Sequence, residues 1–327
     1  GGLIDCHRHL DRENTLDEKG YSILSGGTTL QEKWNHIDRV KQAVGYRKSL
    51  KNRMREAIRD MMEQGVWACR TYIDADRTIG LEGIKTAIEI KHESRMLGFF
   101  LQIAASPVKG ILFEKDRIIF EEGCELADVI GALPSRDRAG VCDYETSSRQ
   151  MRYFFELARR MKKPIDLQID QANDRREWES KILVKVTREF RDRGYTHPVT
   201  ATHCISLGAQ YDTEIRRIAR EFKELNISVV TCPGAALSML QDKRNFGPKR
   251  NSIAPVRELL EEGVVVALGV DNVSDLFMPF TNGSIREELR ELARAIRWQE
   301  DLNTFANIAT TNGRLVLGLP LPADREP

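Results

Sequence analysis

Short apolar segments rich in β-branched residues alternate with longer amphipathic ones along nearly the whole chain, and this alternation is the strongest constraint on its fold. Eight segments read as strands: residues 3–9, 66–74, 99–105, 128–133, 165–170, 198–203, 227–232 and 264–271. Between them lie helical stretches such as 49–64, where Leu50, Met54, Ile58 and Met61 make an apolar stripe and Gly65 is placed to end the helix. Residues 150–161 and 213–225 read the same way. Repeated β/α units of this kind build a parallel sheet. Eight of them with no long Pro/Gly/Ser linker predict an α/β fold, a closed (β/α)8 TIM barrel, with an open doubly wound sheet as the competitor. No G-x-G-x-x-G or Walker-type loop follows any strand, which counts against that competitor.

A chain of 327 residues is long for one domain, yet barrels often reach this size, so one barrel over 1–327 is expected. The 50 basic and 49 acidic residues nearly cancel, which argues against nucleic acid or an anionic membrane as partner and favours a small-molecule ligand. A homo-oligomer is compatible with this composition. The six cysteines show no C-x-x-C spacing and read as free thiols in a reducing compartment. With no apolar run long enough to span a bilayer and no signal-peptide pattern at the start, the expected location is the cytoplasm. The first chemically loaded motif begins only a few residues in, so N-terminal sequence is expected to be missing. Residues 11–48 are too long for a simple βα loop. In a barrel they would lie over the mouth, where Trp34, His36 and Tyr46 could line or cover a pocket; a mobile surface excursion is the alternative.

The chain has six histidines, and three of them end proposed strands: His7 and His9 after the first, His203 after the sixth. Residues i and i+2 of a strand point to one side, so His7 and His9 in D-C-H-R-H-L can present two imidazoles to one point. That spacing suits a divalent metal, although two histidines on one strand face also occur as hydrogen-bonded core residues. Asp271 ends the apolar run V-V-V-A-L-G-V-D-N, and a carboxylate closing such a strand needs a partner that a metal would supply. His203 in T-A-T-H-C adds a third imidazole, as a ligand or as a proton carrier.

The motifs D-C-H-R-H-L-D-R, C-R-T-Y-I-D, L-Q-I-A-A-S-P-V-K-G-I-L, V-I-G-A-L-P, I-D-L-Q-I-D-Q-A-N-D, V-T-A-T-H-C and V-V-V-A-L-G-V-D-N-V-S-D-L-F follow one another in an order that resembles the amidohydrolase superfamily. The likeness is to the branch of bacterial cytosine deaminase and N-isopropylammelide amidohydrolase, and it runs over nearly the whole chain. The resemblance implies a distorted barrel with one zinc or iron ion, often beside a small β-sandwich whose N-terminal strands have no counterpart here. It further implies that His7, His9 and Asp271 bind the metal, and that His203 polarises the attacking water or the substrate.

Some positions depart from the family pattern. Gln168 and Gln171 stand where the family places a metal-binding His and, three residues on, a catalytic Glu. Gln binds zinc or iron only weakly through its carbonyl oxygen, and its amide cannot shuttle protons. Val108 replaces a base-binding Gln and Asn272 a second Asp, which argues against cytosine as substrate. Phe277 could stack on a flat ring, and Tyr72 and Asp74 could line the pocket; packing and loop-anchoring roles compete for all three. Strand alternation places Asp170 on the face of Gln168, one step nearer the mouth. It is therefore the local candidate to replace the missing acid/base, unless it anchors the loop or an arginine such as Arg70. The function expected is hydrolysis of a C–N bond in a small nitrogen heterocycle, the alternative being a degenerate member that binds a ligand or performs lyase or isomerase chemistry.

Overall fold

A computed structural model describes residues 2–24, 29–239, 252–299 and 301–321. Part of the expected 11–48 excursion (residues 25–28) and both ends of the expected 1–327 domain lie outside the described residues. The strands are β1 (Leu3–Arg8), β2 (Val66–Asp74), β3 (Phe100–Ser106), β4 (Val129–Ala132), β5 (Ile165–Ile169), β6 (Val199–His203), β7 (Ile227–Thr231) and β8 (Val266–Leu268). All eight pair in parallel in sequence order, so every segment read as a strand is one. The ring is closed at the mouth by a parallel bridge between Arg8 and Asp271. The protein is a (β/α)8 TIM barrel.

The helices follow from the apolar stripes. Tyr46–Glu63 buries Leu50, Met54, Ala57, Ile58 and Met61 against the barrel, and the left-handed Gly65 turns the chain into β2. Tyr144–Met161 starts six residues earlier than its stripe alone indicates, because Asp143 caps it by accepting from Thr146 N. Among the described residues no helix is long and apolar enough to cross a membrane.

The barrel interior below the mouth is polar. Arg70 donates to Asp166 Oδ2 at 2.5 Å and to Gln102 Oε1 at 2.8 Å, while Thr202 Oγ1 donates to Asp166 Oδ1 at 2.7 Å. The partner of Arg70 is thus Asp166, and Asp170 is not needed there. β8 is also shorter than expected. Its ladder ends at Leu268, after which Val270 N turns to Asp5 Oδ1 (3.1 Å) and Asp271 takes a left-handed backbone (φ 75°).

Between β1 and the helix Tyr46–Glu63 the chain forms three short helices, Glu18–Leu24, Leu30–Asn35 and Ile37–Gln42. Trp34, Ile37 and Val40 from the last two share an apolar cluster with Val108, Leu133 and Phe277, which follow β3, β4 and β8.

Candidate metal centre at the barrel mouth

His7 lies in β1 and His9 just beyond it, and both rings are buried. The ring centroids of His7 and His9 are 5.1 Å apart, and those of His7 and His203 5.2 Å. Asp271 Oδ1 lies 3.4 Å from His7 Nε2 and 3.2 Å from His9 Nε2. Donor atoms of His7, His203 and Asp271 all fall within 4.8 Å of one another. Both ring nitrogens of His7 and Nδ1 of His9 are buried with no hydrogen-bond partner. Burying such atoms unpaired is costly, and a cation among them removes that cost.

Burial pushes His9 down to about 3, helped by the nearby Arg12, and it pushes His203 down to about 4. Both are neutral imidazoles at pH 7, with lone pairs free to bind a metal. Burial alone would raise the Asp271 carboxyl, but the adjoining His7 and His9 imidazoles hold it well below the usual carboxylate range. Neutral imidazoles beside a carboxylate make a donor set that fits zinc or iron.

Backbone geometry positions these groups. His203 (φ 78°), Cys204 (φ 51°) and Asp271 (φ 75°) all occupy the left-handed region. Non-glycine residues pay for that conformation, and such strain gathers at functional sites. Cys204 N donates to Ile169 O (3.1 Å), which pins the turn after His203. At Gly269, a Cβ would stand 2.6 Å from His7 Cβ and 2.9 Å from His7 N, so only glycine lets β8 approach β1 this closely. Asn272 Nδ2 donates to Asp271 Oδ1 (2.7 Å), and its own Oδ1 accepts from Arg12 Nη2 (3.2 Å). Asn272 therefore orients the carboxylate.

Gln168 is buried near the end of β5 with its Cα paired to Thr202, the residue before His203. Gln171 is buried beyond that strand, and its Nε2 donates to Ser135 Oγ at 3.4 Å. Tyr72 packs its ring on His7 (4.3 Å between centroids) and on His9 (5.6 Å). Val108 and Phe277 belong to the apolar cluster with Trp34. One face of the Phe277 ring is already covered by the Arg12 guanidinium, 4.9 Å from the ring centroid.

One expectation is corrected, and a second resolves to its anchoring alternative. Asp170 does not continue the alternation of β5, because its backbone is left-handed (φ 55°). Its Oδ1 accepts from Glu179 N (2.9 Å) and Ser180 N (3.3 Å), so it caps the helix Glu179–Asp192 instead of facing the histidines. Asp74 is not a free lining group: Arg12 Nη1 (3.0 Å) and Lys41 Nζ (3.0 Å) both engage its carboxylate, which they hold below its ordinary value against burial.

Sequence reasoning missed Arg12, Lys41 and Gly269. The nearest signals were the arginine three residues after His9 and a lone glycine inside the apolar run before Asp271.

A parallel β/α barrel that gathers imidazoles from its first and sixth strands and a carboxylate after its eighth is built on the amidohydrolase plan. Residues 2–322 match the Amidohydrolase family. The chain belongs to that family and is a hydrolase acting on C–N bonds. An uncharacterized protein of Haemophilus influenzae is 27% identical over 265 residues, spanning 80% of this chain and 91% of that one. N-isopropylammelide isopropyl amidohydrolase of Pseudomonas sp. is 22% identical, over 97% of this chain and 74% of that one. The fold superposes with a TM-score of 0.86 on 5-methylcytosine deaminase from Klebsiella pneumoniae, solved with 5-fluorocytosine, at 23% identity over 97% of this chain and 74% of that one.

Proposed function

We propose that this chain is a metal-dependent amidohydrolase that hydrolyses a C–N bond of a small nitrogen heterocycle other than cytosine. The observation that carries the reading is the pair of buried, unpartnered nitrogens of His7 beside the ionised Asp271. His7, His9 and Asp271 would hold the metal, with His203 in the same donor group and Gln168 adding a carbonyl oxygen at most. Zinc or iron bound there supplies Lewis acidity toward water and substrate.

The chain's own residues do the rest. Asp271, ionised and oriented by Asn272, accepts a proton from the attacking water at a carboxylate oxygen. Neutral His203 orients the water or the substrate. Gln171 can hold a polar ring edge by hydrogen bonds but moves no proton. Val108 and Phe277 form an apolar wall, and Val108 cannot read the polar edge of cytosine. We propose further that 1–327 is one barrel domain in the cytoplasm, that residues 11–48 cover its mouth, and that its partner is the heterocyclic substrate, with neither nucleic acid nor membrane involved.

The test is metal content together with turnover of cyclic amides, ureides, aminopyrimidines and aminotriazines. About one metal per chain and activity lost on chelation support the reading; no bound metal and no C–N substrate overturn it. Gln168 and Gln171 favour a second reading, a degenerate ligand-binding or non-hydrolytic member. Under that reading, only the double variant Gln168→His/Gln171→Glu retains metal and hydrolyses.

A further inference from the structure

Two partly buried cations at the barrel mouth have no counter-charge within ion-pair distance among the described residues. Arg136, in the turn after β4, donates from Nε to Val108 O at 2.9 Å and lies over the Trp34 ring, 5.6 Å from its centroid. Among the described residues no carboxylate pairs with its two Nη groups. Lys33, in the helix Leu30–Asn35, donates a single bond from Nζ to Phe277 O at 2.8 Å. Burial presses the pKa of both cations down, and the acids around them do not offset it.

Neighbouring buried cations are treated differently by the fold. Arg12 is paired with Asp74, Lys41 with Asp74 and Asp76, and Arg138 with Glu177 and Glu179. A cation withdrawn from water without a partner costs free energy, which a ligand anion can return. Trp34 follows Lys33 in its helix and lies under Arg136, and Lys33 bonds to the carbonyl of Phe277, which shares Trp34's apolar cluster. Trp34 belongs to one apolar cluster with Val108, Phe277 and Met278, a surface that suits a flat ring.

On the reading that this mouth is the substrate site, we propose that Lys33 and Arg136 form an anion clamp and that the heterocycle carries a carboxylate. The free Nη groups of Arg136 present a fork that matches a carboxylate, and Lys33 supplies a second charge-assisted bond. Both lie in βα connections, where barrel enzymes place specificity.

The test uses the whole protein and two matched pairs: orotate against uracil, and cytosine-5-carboxylate against cytosine. Isothermal titration should show each acid binding at least roughly tenfold more tightly than its neutral partner, the worth of one charge-assisted hydrogen bond. Arg136→Gln and Lys33→Met should each bring that ratio toward one. Equal or tighter binding of the neutral rings, no detectable binding of either acid, or an unchanged ratio in both variants overturns the clamp. Ammonia release from the cytosine pair separates the two proposals. Preference for the acids without ammonia release supports the clamp and counts against deamination of these rings, while the wider substrate panel decides hydrolysis. Release from cytosine at the higher kcat/KM overturns the clamp and the exclusion of cytosine, and leaves C–N hydrolysis itself standing.

Discussion

Asp271 and His7 are joined twice: Asp271 N donates to His7 O at 2.7 Å, and Asp271 Oδ1 lies 3.4 Å from His7 Nε2. His9 N completes the clasp by donating to Asp271 O at 3.2 Å. The bonds that close the barrel between its last and first strands thus also set the spacing of the candidate ligands, so metal retention and barrel closure are coupled.

Gly269 is where that coupling is most exposed, since a methyl group there would push directly on the His7 backbone and Cβ. Gly269→Ala should destabilise the protein by about 1–3 kcal/mol, the usual cost of overpacking. Zinc competition with a chromogenic chelator should also show weakened metal binding. Unchanged affinity and stability would contradict the closure geometry.

Asn272→Ala removes the group between Arg12 and Asp271 without touching a proposed ligand. Losing such an orienting partner typically costs roughly 10–100-fold in metal affinity or activity. Metal titration and steady-state kinetics on the same preparation check this, and a fully active variant would show that Asp271 needs no orientation.

Asp170 separates capping from catalysis. Asn keeps the acceptor for Glu179 N and tolerates the left-handed backbone, whereas Ala removes the cap. Asp170→Ala should lose about 1 kcal/mol in urea denaturation. Asp170→Asn should keep both stability and kcat/KM at pH 7; a collapse of kcat in this variant alone would restore Asp170 as an acid/base.

Burial pushes Asp275 up to about 7, against the pull of Arg12 and of bonds from Met278 N and Phe277 N. The folded protein therefore holds a proton that the unfolded chain releases at its ordinary carboxylate pKa. This contribution to stability is complete below about pH 4 and is lost as pH rises toward 7, by at most about 1.4 kcal/mol per pH unit. Asp275→Asn keeps the backbone acceptor and removes the titration. Relative to the unmodified protein, its urea midpoint should be higher at pH 7.5 than at pH 4.5; an equal difference at both values would contradict the assignment.

The barrel was legible because hydrophobic periodicity repeats eight times, and both β2 and the apolar faces of its helices fell where the pattern placed them. His7, His9, His203 and Asp271 were legible as a group because each lies at or just beyond the C-terminal end of a strand, and these ends converge at a barrel mouth. Asp170 was misread since alternation holds only while the strand continues, and a left-handed residue breaks it. Asp74 stayed open between lining and anchoring since its partners Arg12 and Lys41 come from other elements, and local sequence carries no record of such pairings. Arg136 and Lys33 were invisible for a related reason: that a cation lacks a counter-charge among the described residues shows only in three dimensions.

The most direct test of the central claim is metal stoichiometry in the purified protein and in His7→Ala, read by elemental analysis with an X-ray absorption spectrum of the bound ion. The account predicts about one zinc or iron per chain in a nitrogen and oxygen shell, largely lost in the variant. A protein reconstituted with excess zinc or iron that still holds none, or that holds it equally well without His7, contradicts the account.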